Sequence, residues 1–148
     1  MTAVDTTSPS QTEALSFEFD LQHSPQKVWR ALTDPVLLAE WLLPVVELNL
    51  APGAAFMFST QPHPGWNGVV NCRFLEIEAQ KRLSYTWTVG DMGLDTIVTF
   101  TLTPTASGTR LSLVQSGFTP EQKRNFNGAR YGWTMMGGKL VDLLARDQ

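Results

Sequence analysis

The sequence predicts one α+β domain: a curved antiparallel sheet of about seven strands covered by a long C-terminal helix, with two short helices after the first strand. Three observations carry this reading. Leu15, Phe17, Phe19 and Leu21 alternate with polar residues, as do Leu83, Tyr85, Trp87 and Val89, the period-two pattern of strands dry on one face. Between these runs, VWRALTDPVLLAEWLLP (residues 28–44) changes to apolar spacings of three and four. From Phe126 to Leu144 the large apolar residues fall on one stripe of a helical wheel.

A chain of 148 residues has room for one core and can bury roughly 70% of its unfolded surface. Hydrophobic content of 43% and charged content of 17% describe an ordinary globular protein. Residues 1–13 are small and polar and are expected to form a disordered tail, leaving 14–148 as the folded domain. The tail has no apolar core of a secretory signal, and no apolar run approaches the roughly 20 residues of a membrane span. A cytoplasmic monomer or weak dimer is expected. One cysteine, Cys72, excludes an intramolecular disulfide and a multi-cysteine zinc site. The net charge of −3 argues against nucleic acid as partner, and Lys123, Arg124 and Arg130 read as a solvated helix face.

The elements follow in order. The first strand covers Leu15 to Leu21. Ser24-Pro25 then supplies an N-cap and a proline at the first helical position, where a missing N–H costs nothing. Val28, Ala31 and Leu32 form that helix's apolar face. Thr33-Asp34-Pro35 repeats the signal and opens a second helix with Leu38, Trp41 and Leu42 inward. Six strands are expected next: around Val46–Leu50, Phe56–Phe58, 67–77, Leu83–Val89, Val98–Leu102 and Leu111–Leu113. Thr119-Pro120-Glu121-Gln122 matches a capping box. The long helix follows, its inner stripe made of Phe126, Ala129, Trp133, Met136, Leu140, Leu143 and Leu144, with Asn127-Gly128 a place where its first turns could part from the rest.

This order resembles the helix-grip fold of the START-like superfamily, which includes the birch-pollen-allergen-like proteins. SPQKVWRALTDPVLLAEWL, Gly53 ahead of Phe56, RLSYTW, GTRLSLVQSGF and the late YGW followed by KLVDLL resemble the branch named after the C-terminal domain of the heat-shock protein 90 ATPase activator. The chain departs from that pattern at Ala54 and Cys72, where the family often has Gly. The resemblance implies a cavity between sheet and long helix. It does not imply one activity, because the fold hosts lipid carriers, hormone receptors, polyketide cyclases and co-chaperone domains.

Catalytic constellations are thin. His23 and His63 have no ligand-like spacing to each other or to Cys72, and they read as surface histidines. No nucleophile elbow, phosphate loop or dinucleotide fingerprint is present. Glu76 and Glu78 read as a solvated rim. No catalytic residue, metal or cofactor is therefore expected. The expected activity is binding of a small hydrophobic or amphipathic molecule, with a heat-shock protein 90-binding module and a polyketide cyclase-type enzyme as alternatives. The eukaryotic activators carry a further N-terminal domain, whereas only a short polar tail precedes Leu15 here.

The expected ligand wall comprises Trp41, Phe56, Trp66, Arg73, Tyr85, Trp87, Phe100, Phe126, Trp133 and Met136. Tyr85 shares the face of Leu83 and Trp87, so its hydroxyl needs a partner inside. Strand parity places Asn71, Arg73 and Gln115 at apolar positions, but Val70, Cys72 and Phe74 are the alternative inward set. An inward Arg73 would call for an anionic ligand group or a carboxylate. Gly128, Gly132, Gly137 and Gly138 each cost roughly 1 kcal/mol against Ala in a helix, so they serve either close packing or a void.

Overall fold

The computed structural model describes residues 3–7, 13–62, 68–90 and 93–146. Its elements are β1 (Ala3–Asp5), β2 (Ala14–Leu21), α1 (Pro25–Thr33), α2 (Pro35–Trp41), β3 (Val45–Val46), β4 (Ala55–Ser59), β5 (Val69–Glu78), β6 (Arg82–Val89), β7 (Leu94–Pro104), β8 (Thr109–Ser116) and α3 (Lys123–Arg146). All neighbours in the sheet are antiparallel, in the order β1-β2-β8-β7-β6-β5-β4-β3. The first long strand lies beside the last, and α1 and α2 carry the chain across to the far edge. This is the helix-grip arrangement, with eight strands among the described residues where about seven were expected.

The eighth strand comes from the segment expected to be disordered. Ala3–Asp5 pairs with Phe17–Phe19 and is pinned by side chains. The Asp5 carboxylate accepts from the Thr7 amide and from Arg130 of α3. Thr7 is buried and exchanges bonds with the Ser16 backbone, its hydroxyl donating to the carbonyl and accepting from the amide. Side-chain hydrogen bonds, not apolar pattern, make this strand, and so no periodicity announced it.

The caps are as the sequence reads. Ser24 accepts from the Lys27 amide, and Asp34 closes α1 and opens α2, accepting from the Val36 amide at 2.9 Å. Val28, Ala31, Leu32, Leu38, Trp41 and Leu42 are buried. The strand expected to reach Leu50 stops after Val46, because Glu47 takes a left-handed φ of 59° that ends extended backbone. At the other end, the Thr119 amide donates to the Gln122 side chain and a 3-10 turn over Pro120–Gln122 leads into α3. Asn127-Gly128 introduces no break: α3 is continuous over 24 residues.

The core is the inward sheet face against α3. Alternating residues of β2, β4, β6, β7 and β8 meet Phe126, Trp133, Leu140, Leu143 and Leu144, while Ala129 and Met136 are half-buried. Val70, Cys72 and Phe74 are the inward set of β5, and Asn71 and Arg73 face out. Among the described residues, no helix is long and apolar enough to cross a membrane.

Candidate functional site

Sheet and long helix do not close completely on each other. Between the N-terminal half of α3 and the inward face of β5–β8 lies a cavity of about 360 Å³. Val70, Trp87, Val89 and Leu94 line it from the sheet, and Trp133 and Met136 from the helix. Trp87 and Trp133 form its floor, their rings 5.5 Å apart and inclined at 53°.

Two glycines on α3 keep the space open. Gly128 and Gly132, one turn apart, both line the cavity. A Cβ on Gly128 would meet nothing within 4 Å, and one on Gly132 would meet only the Met136 methyl at 3.7 Å. Close packing therefore does not require glycine at either position. In a helix that pays about 1 kcal/mol per glycine, the effect of these two is room.

A buried polar chain holds the floor in place. The Trp133 indole Nε1 donates to Gln115 Oε1 at 2.7 Å, and Gln115 Nε2 donates to Thr96 Oγ1 at 2.9 Å. The Thr96 hydroxyl donates to the Trp87 carbonyl at 2.9 Å. One helix and three strands are thus tied through groups that are all buried. Gln115 also faces the cavity, with one N–H and acceptor capacity left over. At the mouth stand Arg124 and Asn125 in the first turns of α3.

The expected ligand wall is divided by this geometry. Trp87, Trp133 and Met136 line the cavity. Phe56, Tyr85 and Phe100 belong to a deeper aromatic cluster, in which Tyr85 lies 5.3 Å from Phe56 and 6.2 Å from Phe100. Burial, with Cys72 nearby, holds the Tyr85 hydroxyl well above the ordinary phenol range, and burial raises the Cys72 thiol likewise. Phe126 packs edge-on against Phe118 in the core. Trp41 is core too: its Nε1 donates to the Ala31 carbonyl at 2.8 Å and its ring meets Phe100 edge-on. Trp66 and His63 lie outside the described residues.

Arg73 is on the wrong face for the cavity. Its guanidinium is exposed and donates to the Gly53 carbonyl at 2.7 Å, beside a mixed-polarity cleft of about 350 Å³ on the outer sheet surface. Parity left the inward face of β5 open because the strand interleaves polar and apolar residues in both registers; the structure takes the Val70, Cys72 and Phe74 alternative, and a bulge between Phe74 and Glu76 leaves Leu75 exposed. Glu76 and Glu78 form exposed ion pairs with Arg82 and Lys81. His23 is not simply superficial. Its Nδ1 lies 3.2 Å from Lys27 Nζ, which also donates to the Leu144 carbonyl, and its Nε2 is buried without a hydrogen-bond partner among the described residues.

The expected ligand wall left out Val70 and Val89, read only as candidate inward strand positions, and Leu94, Thr96, Arg124 and Asn125. Thr96 was legible, since it shares the parity of Leu94, Val98 and Phe100. The others needed the placement of α3 over the sheet.

A grip with an open cavity, reached from this element order, asks for a family. The model for activator of Hsp90 ATPase homolog 1-like proteins matches residues 22–145. The chain belongs to that family. This AHSA1-like protein is similar to MLL2253 from Mesorhizobium loti, with 42% identity over 91% of this chain and 98% of that one and a TM-score of 0.84. It is also similar to CV1439 from Chromobacterium violaceum, at 29% identity over 90% and 98% of the chains and a TM-score of 0.73. DynU16, described as a putative protein in the dynemicin biosynthetic locus, shares the fold at 21% identity and a TM-score of 0.75, over 91% of this chain and 48% of that one. No curated protein matches the sequence.

Proposed function

We propose that this AHSA1-like protein binds a small hydrophobic or amphipathic molecule between its sheet and α3 without transforming it. The observation that carries the reading is the pairing of an indole floor with glycines that leave the space above it unfilled. At about 30 Å³ per water-sized group, a cavity of about 360 Å³ has room for roughly a dozen non-hydrogen atoms. That is a small ligand at the lower end of ordinary binding pockets.

The lining supports binding rather than chemistry. Among the described lining residues the one ionisable side chain is Arg124, whose guanidinium offers hydrogen-bond donors and no acceptor. Among the described residues, no nucleophile or general base faces the space. Burying ~300 Å² of apolar ligand surface yields roughly 7 kcal/mol, of which some 4 kcal/mol or more is lost with the ligand's freedom. Apolar walls alone therefore give weak binding, and the polar groups Gln115, Asn125 and Arg124 supply the selectivity.

Native mass spectrometry of the purified protein tests this. A retained small molecule, released on denaturation, is the expected result. Protein of bare sequence mass whose melting temperature no lipophile raises would remove the reading. The family's description carries a second reading, an accessory to a heat-shock protein 90 homologue. It predicts co-purification with that homologue and a rise in the homologue's ATPase rate, whether or not the cavity is filled.

A further inference from the structure

The cavity has one apolar end and one charged end, and the difference between them specifies a ligand class. The floor presents Trp87, Trp133, Val70, Val89, Leu94 and Met136. The mouth presents Arg124, the sole ionisable side chain among the described lining residues. The other arginines with facing carboxylates are committed: Arg82 to Glu76, Arg110 to Asp20 and Arg130 to Asp5. Arg124 forms no ion pair among the described residues, although Arg130 sits less than two turns along the same helix.

Resting on the binding reading above, we propose that the ligand is an anionic amphiphile: a carboxylate or comparable anion held by the Arg124 guanidinium at the mouth, with its hydrocarbon part on the Trp87–Trp133 floor. Three features converge on this. A guanidinium offers a planar fork of N–H donors that matches a carboxylate with two parallel bonds. Its position at the rim lets a head group keep most of its water, so no charge is buried at the cost that a deep carboxylate would face. The Trp133 Nε1 is already spent on Gln115, which leaves the second Gln115 N–H as the inner end's side-chain donor, and a neutral amide rewards an anion less than a guanidinium does. Polarity therefore runs one way along the cavity, with tail in and anion out.

The test compares octanoate, octanol and octylammonium, each kept below the concentration at which it self-associates, by quenching of tryptophan fluorescence in the wild type, Arg124→Gln and Lys123→Gln. Lys123 is the neighbouring exposed cation and does not line the cavity, so Lys123→Gln controls for general surface charge. The wild type is expected to bind octanoate roughly fivefold more tightly than octanol, the upper range for one exposed ion pair, with octylammonium weakest. Arg124→Gln levels octanoate with octanol and leaves octanol unchanged. Lys123→Gln keeps the preference, and added salt shrinks it. Unaltered thermal melting of both variants checks that each still folds.

Each other outcome is decisive. Equal binding of all three compounds by the wild type overturns the anionic preference while the cavity reading stands. A preference that survives Arg124→Gln overturns the role of Arg124. Failure of all three to bind removes the cavity reading and this inference together. Sedimentation with vesicles carrying anionic lipid, lost in Arg124→Gln, would assign the arginine to a membrane surface and overturn the proposal. Vesicle-independent octanoate binding is the expected result.

Discussion

Trp133 of α3 donates its indole N–H to Gln115 of β8 at 2.7 Å, and this buried bond fixes helix to sheet at the cavity floor. Gln115 passes the tie on to Thr96, and Thr96 to the Trp87 carbonyl. Gln115→Leu strands a buried indole donor and removes the donor to Thr96. It is expected to lower unfolding stability by about 2 to 3 kcal/mol, at 1–3 kcal/mol per buried group left unpaired. Combining it with Trp133→Phe should cost less than the sum of the two single changes, since one bond cannot be lost twice. Urea unfolding of the two single variants and the double variant measures this, and strict additivity would break the tie.

Trp41 separates core from ligand wall. Trp41→Phe removes the hydrogen bond to the Ala31 carbonyl and part of the contact with Phe100. A loss of about 2 kcal/mol in stability is expected, with the affinity for any cavity ligand unchanged. Arg73→Ala, on the opposite sheet face, should likewise leave ligand affinity alone. Fluorescence titration of both variants checks the separation, and weakened binding in either moves the site.

Acid should loosen the end of the molecule where β2, α1 and α3 meet. Burial, and then the Lys27 ammonium beside it, hold the His23 imidazole below its ordinary 6.5. A lowered folded value means that the unfolded chain takes the proton first. The stability contributed by neutral His23 is then present above pH 6.5 and lost as the pH falls below it. Asp5 adds a second loss at lower pH. Burial raises its carboxyl, but hydrogen bonds from Arg130 and Thr7 outweigh this and hold it below 3.8, so its contribution fades as the pH drops through that value. Melting temperatures between pH 7 and 5 should fall less in His23→Gln than in the wild type. Equal slopes would exclude His23 as the cause.

Much of the fold could be read from the chain because its signals are local. The Ser24-Pro25 and Asp34-Pro35 caps, the alternation through β2, β6, β7 and β8, and the stripe on α3 all depend on near neighbours in sequence. What escaped depends on distant partners. Strand β1 is held by Thr7, Ser16 and Arg130. In β5 neither register is clearly apolar, so the inward face was settled by packing, and Arg73 turned outward. The candidate site was legible in its indoles and in the ambiguity of its glycines. Periodicity places Trp41 and Trp133 inward alike, and only their partners across the fold separate them: Trp41 meets Ala31 and Phe100, whereas Trp133 lines the cavity. Arg124 at the mouth looked like part of an ordinary solvated helix face for the same reason.

On the proposed binding role, Gly128 and Gly132 keep a ligand space open at the expense of helix stability. Thermal melting of Gly128→Leu beside the wild type, each with and without a saturating lipophile such as octanoate, tests it most directly. The added side chain enters open space and removes a helical glycine, so the free protein should gain about 1 kcal/mol, or roughly 3 °C. The ligand-induced rise expected of the wild type should be absent in the variant. A variant that the lipophile stabilises as much as the wild type would contradict the account.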